Sequence, residues 1–306
     1  MPLASIAFDF DPIVRLGDSG VRLETLGYTG AVLVALLIAA AICGRTPPDA
    51  PHTPAWLRRE DLHLRRDDLL FIVLGVVPGA VVGGRIGYVL LHPKFYMANQ
   101  GAILDPGQGS LELGLAVVVG TVTGAYVARL LDAPVGRWLH VAALPLLVVL
   151  GLGKLAMTLG GSGQGAPSDV AWATSYLGAG PWGSLAPEVP SVPAQLYEAG
   201  ATGIALLIVV LLFVVSAFRA RDGSAFFVAL FLWSIGRVLV TFTWRDDPIV
   251  ASVRSGALLG VVVAGCSLVG LVLVRWAARR ARNQAHSVAD IVSGPEWPDP
   301  EARPPF

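Results

Sequence analysis

Seven apolar runs, each about twenty residues long, limit what this 306-residue chain can become. They cover residues 24–44, 69–91, 111–131, 138–159, 194–218, 225–244 and 255–276. A helix of about 20 apolar residues crosses a hydrocarbon layer about 30 Å thick. Inside that layer only helices and closed barrels satisfy every backbone N–H and C=O. The sequence therefore predicts an all-α integral membrane protein with seven transmembrane helices, and residues 1–276 form its membrane domain. His92-Pro93 closes the second run, because proline cannot continue a helix ladder. Residues 277–306 are charged and proline-rich and read as a disordered tail.

Charge supports this class and excludes others. Charged residues make up 14% of the chain, against about 25% in soluble domains. The net charge is zero, so there is no electrostatic case for a nucleic-acid partner. Cys43 and Cys266 lie in apolar runs without metal or disulfide spacing, and both read as small buried apolar groups. A basic n-region followed by a cleavage site is not evident at the N-terminus, so no removable signal peptide is expected.

The basic residues give an orientation. Loops on one side hold fourteen, from Arg45 in the first loop to Arg303 in the tail, and loops on the other side hold five. The positive-inside rule then places the N-terminus outside and the C-terminus in the cytoplasm. The long stretch 161–194 carries no Lys or Arg and falls outside. Without an evident internal repeat, an inverted-repeat transporter has little support.

Three cations stand within the runs: Arg85 in Gly83-Gly84-Arg85-Ile86-Gly87-Tyr88, Lys154 and Arg237. A charge at membrane depth costs several kcal/mol unless it is paired or hydrated, which marks such residues as functional candidates. The plainer alternatives are snorkelling to an interface or pairing with a carboxylate. Glu112 opens the third run. Gln195, Tyr197 and Glu198 open the fifth, after the helix-start signal Pro193. Glu198 either stabilises its own first turn or pairs with Lys154 or Arg237. All three cations fall in the outer half of their spans, or near mid-depth, where they can meet one phosphate headgroup.

Three motifs, in this order and spacing, resemble the prolipoprotein diacylglyceryl transferases: Gly83-Gly84-Arg85-Ile86-Gly87-Tyr88-Val89-Leu90, Pro193-Ala194-Gln195-Leu196-Tyr197-Glu198, and Gly236-Arg237-Val238 followed by Arg245. The resemblance runs from about Asp9 to Arg280. It implies a bacterial cytoplasmic-membrane enzyme with seven spans that needs no metal or cofactor. Such an enzyme moves a diacylglyceryl group from phosphatidylglycerol to the lipobox cysteine thiol of a prolipoprotein signal peptide, and glycerol phosphate leaves. On this reading Arg237 and Lys154 neutralise the departing phosphate and Glu112 is a candidate base. Arg85, Gln195, Tyr197, Glu198 and Arg245 bind substrate.

The chain also departs from the family pattern. Glu112 stands where a histidine is usual. Lys154 and Met157 replace an arginine and an asparagine at the end of the fourth span. Leu26 aligns with a first-span tyrosine, and Val192 with a histidine. Lysine neutralises phosphate only as a point charge, without the two-pronged fork of arginine. Attack on the glyceryl carbon needs a thiolate, and a free thiol ionises only near pH 8.5, at about its own pKa. The alternative function is a relative that binds anionic lipid, or a lipid-linked substrate, without this catalysis; a small-molecule transporter is the third.

Overall fold

The computed structural model describes residues 5–16, 19–44, 64–91, 93–103, 112–184, 186–245, 248–250 and 253–292. Its long helices are α1 (Leu23–Cys43), α2 (Arg66–Leu91), α4 (Leu113–Leu130), α5 (Val135–Thr158), α6 (Ala194–Val214), α7 (Ser224–Thr241) and α8 (Ser255–Val292). These seven are long and apolar enough to cross a membrane. A short α3 (Pro93–Ala98) and a 3-10 turn (Gln100–Ile103) follow α2. Many of the largest aliphatic side chains point outward, among them Leu37, Leu74, Leu130, Ile204 and Leu239. An apolar exterior of that extent is what lipid as solvent requires.

The helices associate through small residues rather than through a water-driven core. On α2, Gly75, Gly79 and Gly83 stand four apart and face α4, where Ala116, Gly120, Gly124 and Ala128 repeat at the same interval. A Cβ on Gly79 would collide with Thr123, and one on Gly83 would lie 2.5 Å from the Leu115 carbonyl oxygen. Such ladders let backbones approach until dispersion and weak polar contacts hold them. α1 packs on α5, and α5, α6 and α7 close around Leu147, Leu150, Val209, Phe226, Leu230 and Trp233, with α8 outside α7.

The α1–α5 pair and the α2–α4 pair meet only loosely. Between them lies a cavity of about 1200 Å³, walled mainly by Val, Leu, Ile and Ala, that runs from Arg85 and Met157 at one end to Leu69 and Trp138 at the other.

A small cap covers the Arg85 end. Strand β1 (Ile6–Phe8) pairs in parallel with β4 (Thr174–Tyr176), Phe8 opposite Tyr176, and β2 (Ile13–Leu16) pairs with β3 (Ser19–Arg22) as a hairpin. Tyr176 stacks on Phe8 at 5.2 Å and lies 4.9 Å from Trp182. The described residues of the stretch 161–194 therefore fold into a cover. Gly161 and Gly163 turn it with φ of 71° and 74°, a region that favours glycine.

Two expectations need correction. α8 does not stop at 276: residues 277–292 continue it, since the Ala- and Arg-rich sequence from Ala277 to Ala285 has high helix propensity and, once nucleated by the span, propagates. Residues 293–306 lie outside the described residues. Cys266 is exposed on α8 rather than buried, whereas Cys43 is buried as expected. Most of the loop between α1 and α2, with Arg45, Arg58 and Arg59, lies outside the described residues, as do Ser110 and Leu111.

Candidate active site

Four charged side chains form one buried network beneath the cap. Arg237 on α7 donates from Nη1 to Glu198 Oε1 and from Nη2 to Glu112 Oε1, each at 3.0 Å. Lys154 on α5 places Nζ 2.9 Å from Glu198 Oε2. Two cations and two carboxylates sum to zero charge, which is how ionised groups survive where solvation is poor. Trp244 lies over both cations, 5.0 Å from Lys154 Nζ and 5.7 Å from Arg237 Cζ, and Trp233 adds a second ring 5.6 Å from Arg237.

Local sequence explains each position. Pro193 starts α6 so that Gln195 and Glu198, three residues apart, share its buried face. Glu112 is the N-cap of α4: its carboxylate accepts the Gly114 N–H at 2.8 Å and the Leu115 N–H at 2.7 Å, an arrangement worth about 1 kcal/mol. Its own N–H donates to the Gly84 carbonyl at 2.8 Å. Gly87 makes room, because a Cβ there would lie 2.9 Å from Glu112 Cβ.

The three intramembrane cations do not converge. Arg85 donates to the Ile103 carbonyl at 2.8 Å and the Ala102 carbonyl at 2.6 Å, and lies over the Tyr96 ring at 5.4 Å. It thereby pins the segment 93–103 at the cavity mouth. Of the four networked residues only Lys154 lines the cavity, and Arg85 is the other cation on its wall. Arg237 stands behind, holding both carboxylates.

The remaining sequence candidates divide similarly. Gln195 donates to the Tyr176 hydroxyl at 3.2 Å, and burial pushes the Tyr176 phenol up to about 12, so it stays neutral. Tyr197 points away from Gln195 and Glu198 and accepts from the Trp172 indole at 2.5 Å. Arg245 joins cap to bundle through the Gly165 carbonyl at 2.9 Å and the Ser191 hydroxyl at 2.6 Å. Val192 lends its carbonyl to the Gly165 N–H. Leu26 is exposed, whereas Tyr28 and Met157 line the cavity.

Sequence reasoning missed Glu24, Tyr28 and Ser162. Glu24 is buried and accepts the Tyr28 hydroxyl at 3.0 Å on Oε1 and the Ser162 hydroxyl at 2.8 Å on Oε2. A carboxylate four residues before a tyrosine on a predicted helix was the available signal.

The family profile described as prolipoprotein diacylglyceryl transferase matches residues 13–278. Relatives named phosphatidylglycerol–prolipoprotein diacylglyceryl transferase are similar along nearly their whole length. The one from Methylocella silvestris is 29% identical over 88% of this chain and 94% of its own. The Paramagnetospirillum magneticum protein is 29% identical over 90% and 96%, and that of Gluconobacter oxydans 28% over 91% and 97%. With seven apolar helices and a buried ionic site in place, the chain belongs to the prolipoprotein diacylglyceryl transferase family.

Proposed function

We propose that the protein transfers a diacylglyceryl group from phosphatidylglycerol to the lipobox cysteine thiol of a prolipoprotein, working in a bacterial cytoplasmic membrane with its N-terminus outside. The observation that carries this reading is the position of Lys154, a buried ammonium on the wall of a large apolar cavity. The cavity has the volume and lining for acyl chains. Lys154 and Arg85 offer positive charge where a phosphate would lie. Arg237 acts from behind by holding Glu198, and through it Lys154, in place. Glu112 serves as the anchor of Arg237, since both its oxygens already accept hydrogen bonds. Gln195 and Arg245 fix the cap over the site, and Tyr197 lies at its outer surface.

The closed charge balance of the network motivates the second reading, binding of anionic lipid without transfer. Proteoliposomes holding labelled phosphatidylglycerol and a lipobox peptide separate the two. Label on the peptide cysteine is the expected result. Retention of phosphatidylglycerol with no labelled peptide would leave only the binding reading.

A further inference from the structure

Three carboxylates are buried around the capped end: Glu24, Glu112 and Glu198. Two are already engaged by cations. Glu198 lies between Lys154 and Arg237, and Glu112 takes two backbone N–H groups and Arg237. Glu24 has a different setting. Its partners are two neutral hydroxyls, and the cation within ion-pair reach among the described residues is Arg22, at 3.6 Å with a side chain 42% exposed.

Glu24 also has a route to the cavity. Tyr28, whose hydroxyl it holds, lines the cavity wall with its ring against Gly153, where a Cβ would lie 3.6 Å away. Gly153 precedes Lys154. Ser162 fixes the other oxygen of Glu24 from the cap, and Gly160 leaves room for it, because a Cβ there would collide with the carboxylate. The phenol therefore has its proton directed at Glu24, while the residue itself stands on the cavity wall.

We propose that Glu24 is the proton acceptor for the substrate thiol, reached through the Tyr28 hydroxyl; this rests on the thiol-transfer reading above. The thiol gives its proton to Tyr28 Oη as Tyr28 passes its own to Glu24 Oε1. The sulfur electron pair forms the bond to the glyceryl carbon. The carbon–oxygen bond to phosphate breaks, and its electron pair leaves with glycerol phosphate beside Lys154. The proton rests on Glu24 until water on the Arg22 side removes it. Tyr28 is the catalytic residue of this step and Glu24 acts through it.

The test compares two lipobox peptides, one with cysteine and one with selenocysteine, in proteoliposomes of phosphatidylglycerol. A selenol is ionised at neutral pH and needs no base. Glu24→Gln and Tyr28→Phe should lower transfer to the cysteine peptide by about 100-fold or more and leave transfer to the selenocysteine peptide within a few-fold of the parent. Glu24→Asp should recover part of the loss. Retained phosphatidylglycerol, read by native mass spectrometry, confirms folded variants. Tyr28→Phe leaves the Glu24–Ser162 contact in place if Glu24→Gln fails to fold. An equal fall with both peptides, or no fall, overturns the proposal while the parent remains a transferase. No transfer by the parent to either peptide overturns the transferase reading itself, and this step with it.

Discussion

Arg237 Nη1 and Glu198 Oε1 stand 3.0 Å apart, and the second oxygen of Glu198 holds Lys154 at 2.9 Å. One carboxylate thus compensates two cations from two other helices. Removing it leaves both charges short of a partner in a poorly solvated place. Glu198→Ala should destabilise the protein by about 3–5 kcal/mol, read as a lower midpoint of thermal unfolding in detergent. A midpoint equal to the parent's would show that the network carries little stability.

Lys154 is both a partner of Glu198 and the network's face on the cavity. Lys154→Met keeps length and apolar packing but removes the charge. It should abolish transfer, whereas Lys154→Arg should retain it. Transfer to a lipobox peptide in proteoliposomes gives the comparison, and an active methionine variant would reduce Lys154 to a dispensable charge.

Arg85 anchors the segment 93–103 through two carbonyls while facing the cavity. Arg85→Ala should weaken phosphatidylglycerol binding by about 1.5–3 kcal/mol, the worth of a charge-assisted hydrogen bond. Lipid titration in detergent measures it. Unchanged affinity in a folded variant would make Arg85 only a staple for that segment.

The glycine ladder makes a contrast between two positions. Gly79 meets Thr123 of α4 with no room for a Cβ, whereas Gly30 on α1 has nothing within 4 Å. Gly79→Leu should prevent α2 from seating on α4 and lower the yield of folded protein sharply. Gly30→Ala should be neutral or stabilise by about 0.5–1 kcal/mol. Size-exclusion profiles and unfolding midpoints of the pair check this. Equal behaviour would mean that the α2–α4 approach does not depend on the ladder.

For orientation, a single cysteine at Ser168 in the cap, in a background lacking Cys43 and Cys266, should label with an impermeant thiol reagent in intact cells. A cysteine at Asp132, between α4 and α5, should not. The reverse pattern would invert the topology.

Length and composition made the seven spans legible, since no other structure satisfies so much apolar backbone in lipid. Pro193 marked the start of α6, and the cost of an unpaired cation flagged Lys154 and Arg237. The identity of the partners was not legible. Glu112 and Arg237 are 125 residues apart, and Glu24 and Ser162 are 138 apart. Lipid and bundle interior are both apolar, so hydropathy does not say which face of a helix looks inward. For that reason Tyr28 was indistinguishable from a lipid-facing aromatic, and Arg85 from a third member of the ionic cluster. The cap escaped notice because strands of three residues leave too little alternation to recognise.

The tight seating of α2 on α4 has a mechanical consequence. A contact made by glycine against short side chains and backbone leaves little slack, so the two helices cannot slide or spread without breaking it. α1 is tied to α5 in the same way, where a Cβ on Gly27 would lie 2.6 Å from Ala156. Compliance is thereby confined to one seam, the loosely packed boundary between the two stiff pairs. At the capped end the Arg237–Glu112 bond is an ionic tie across that seam, because Glu112 caps α4 while Arg237 also holds Glu198, the partner of Lys154 on α5.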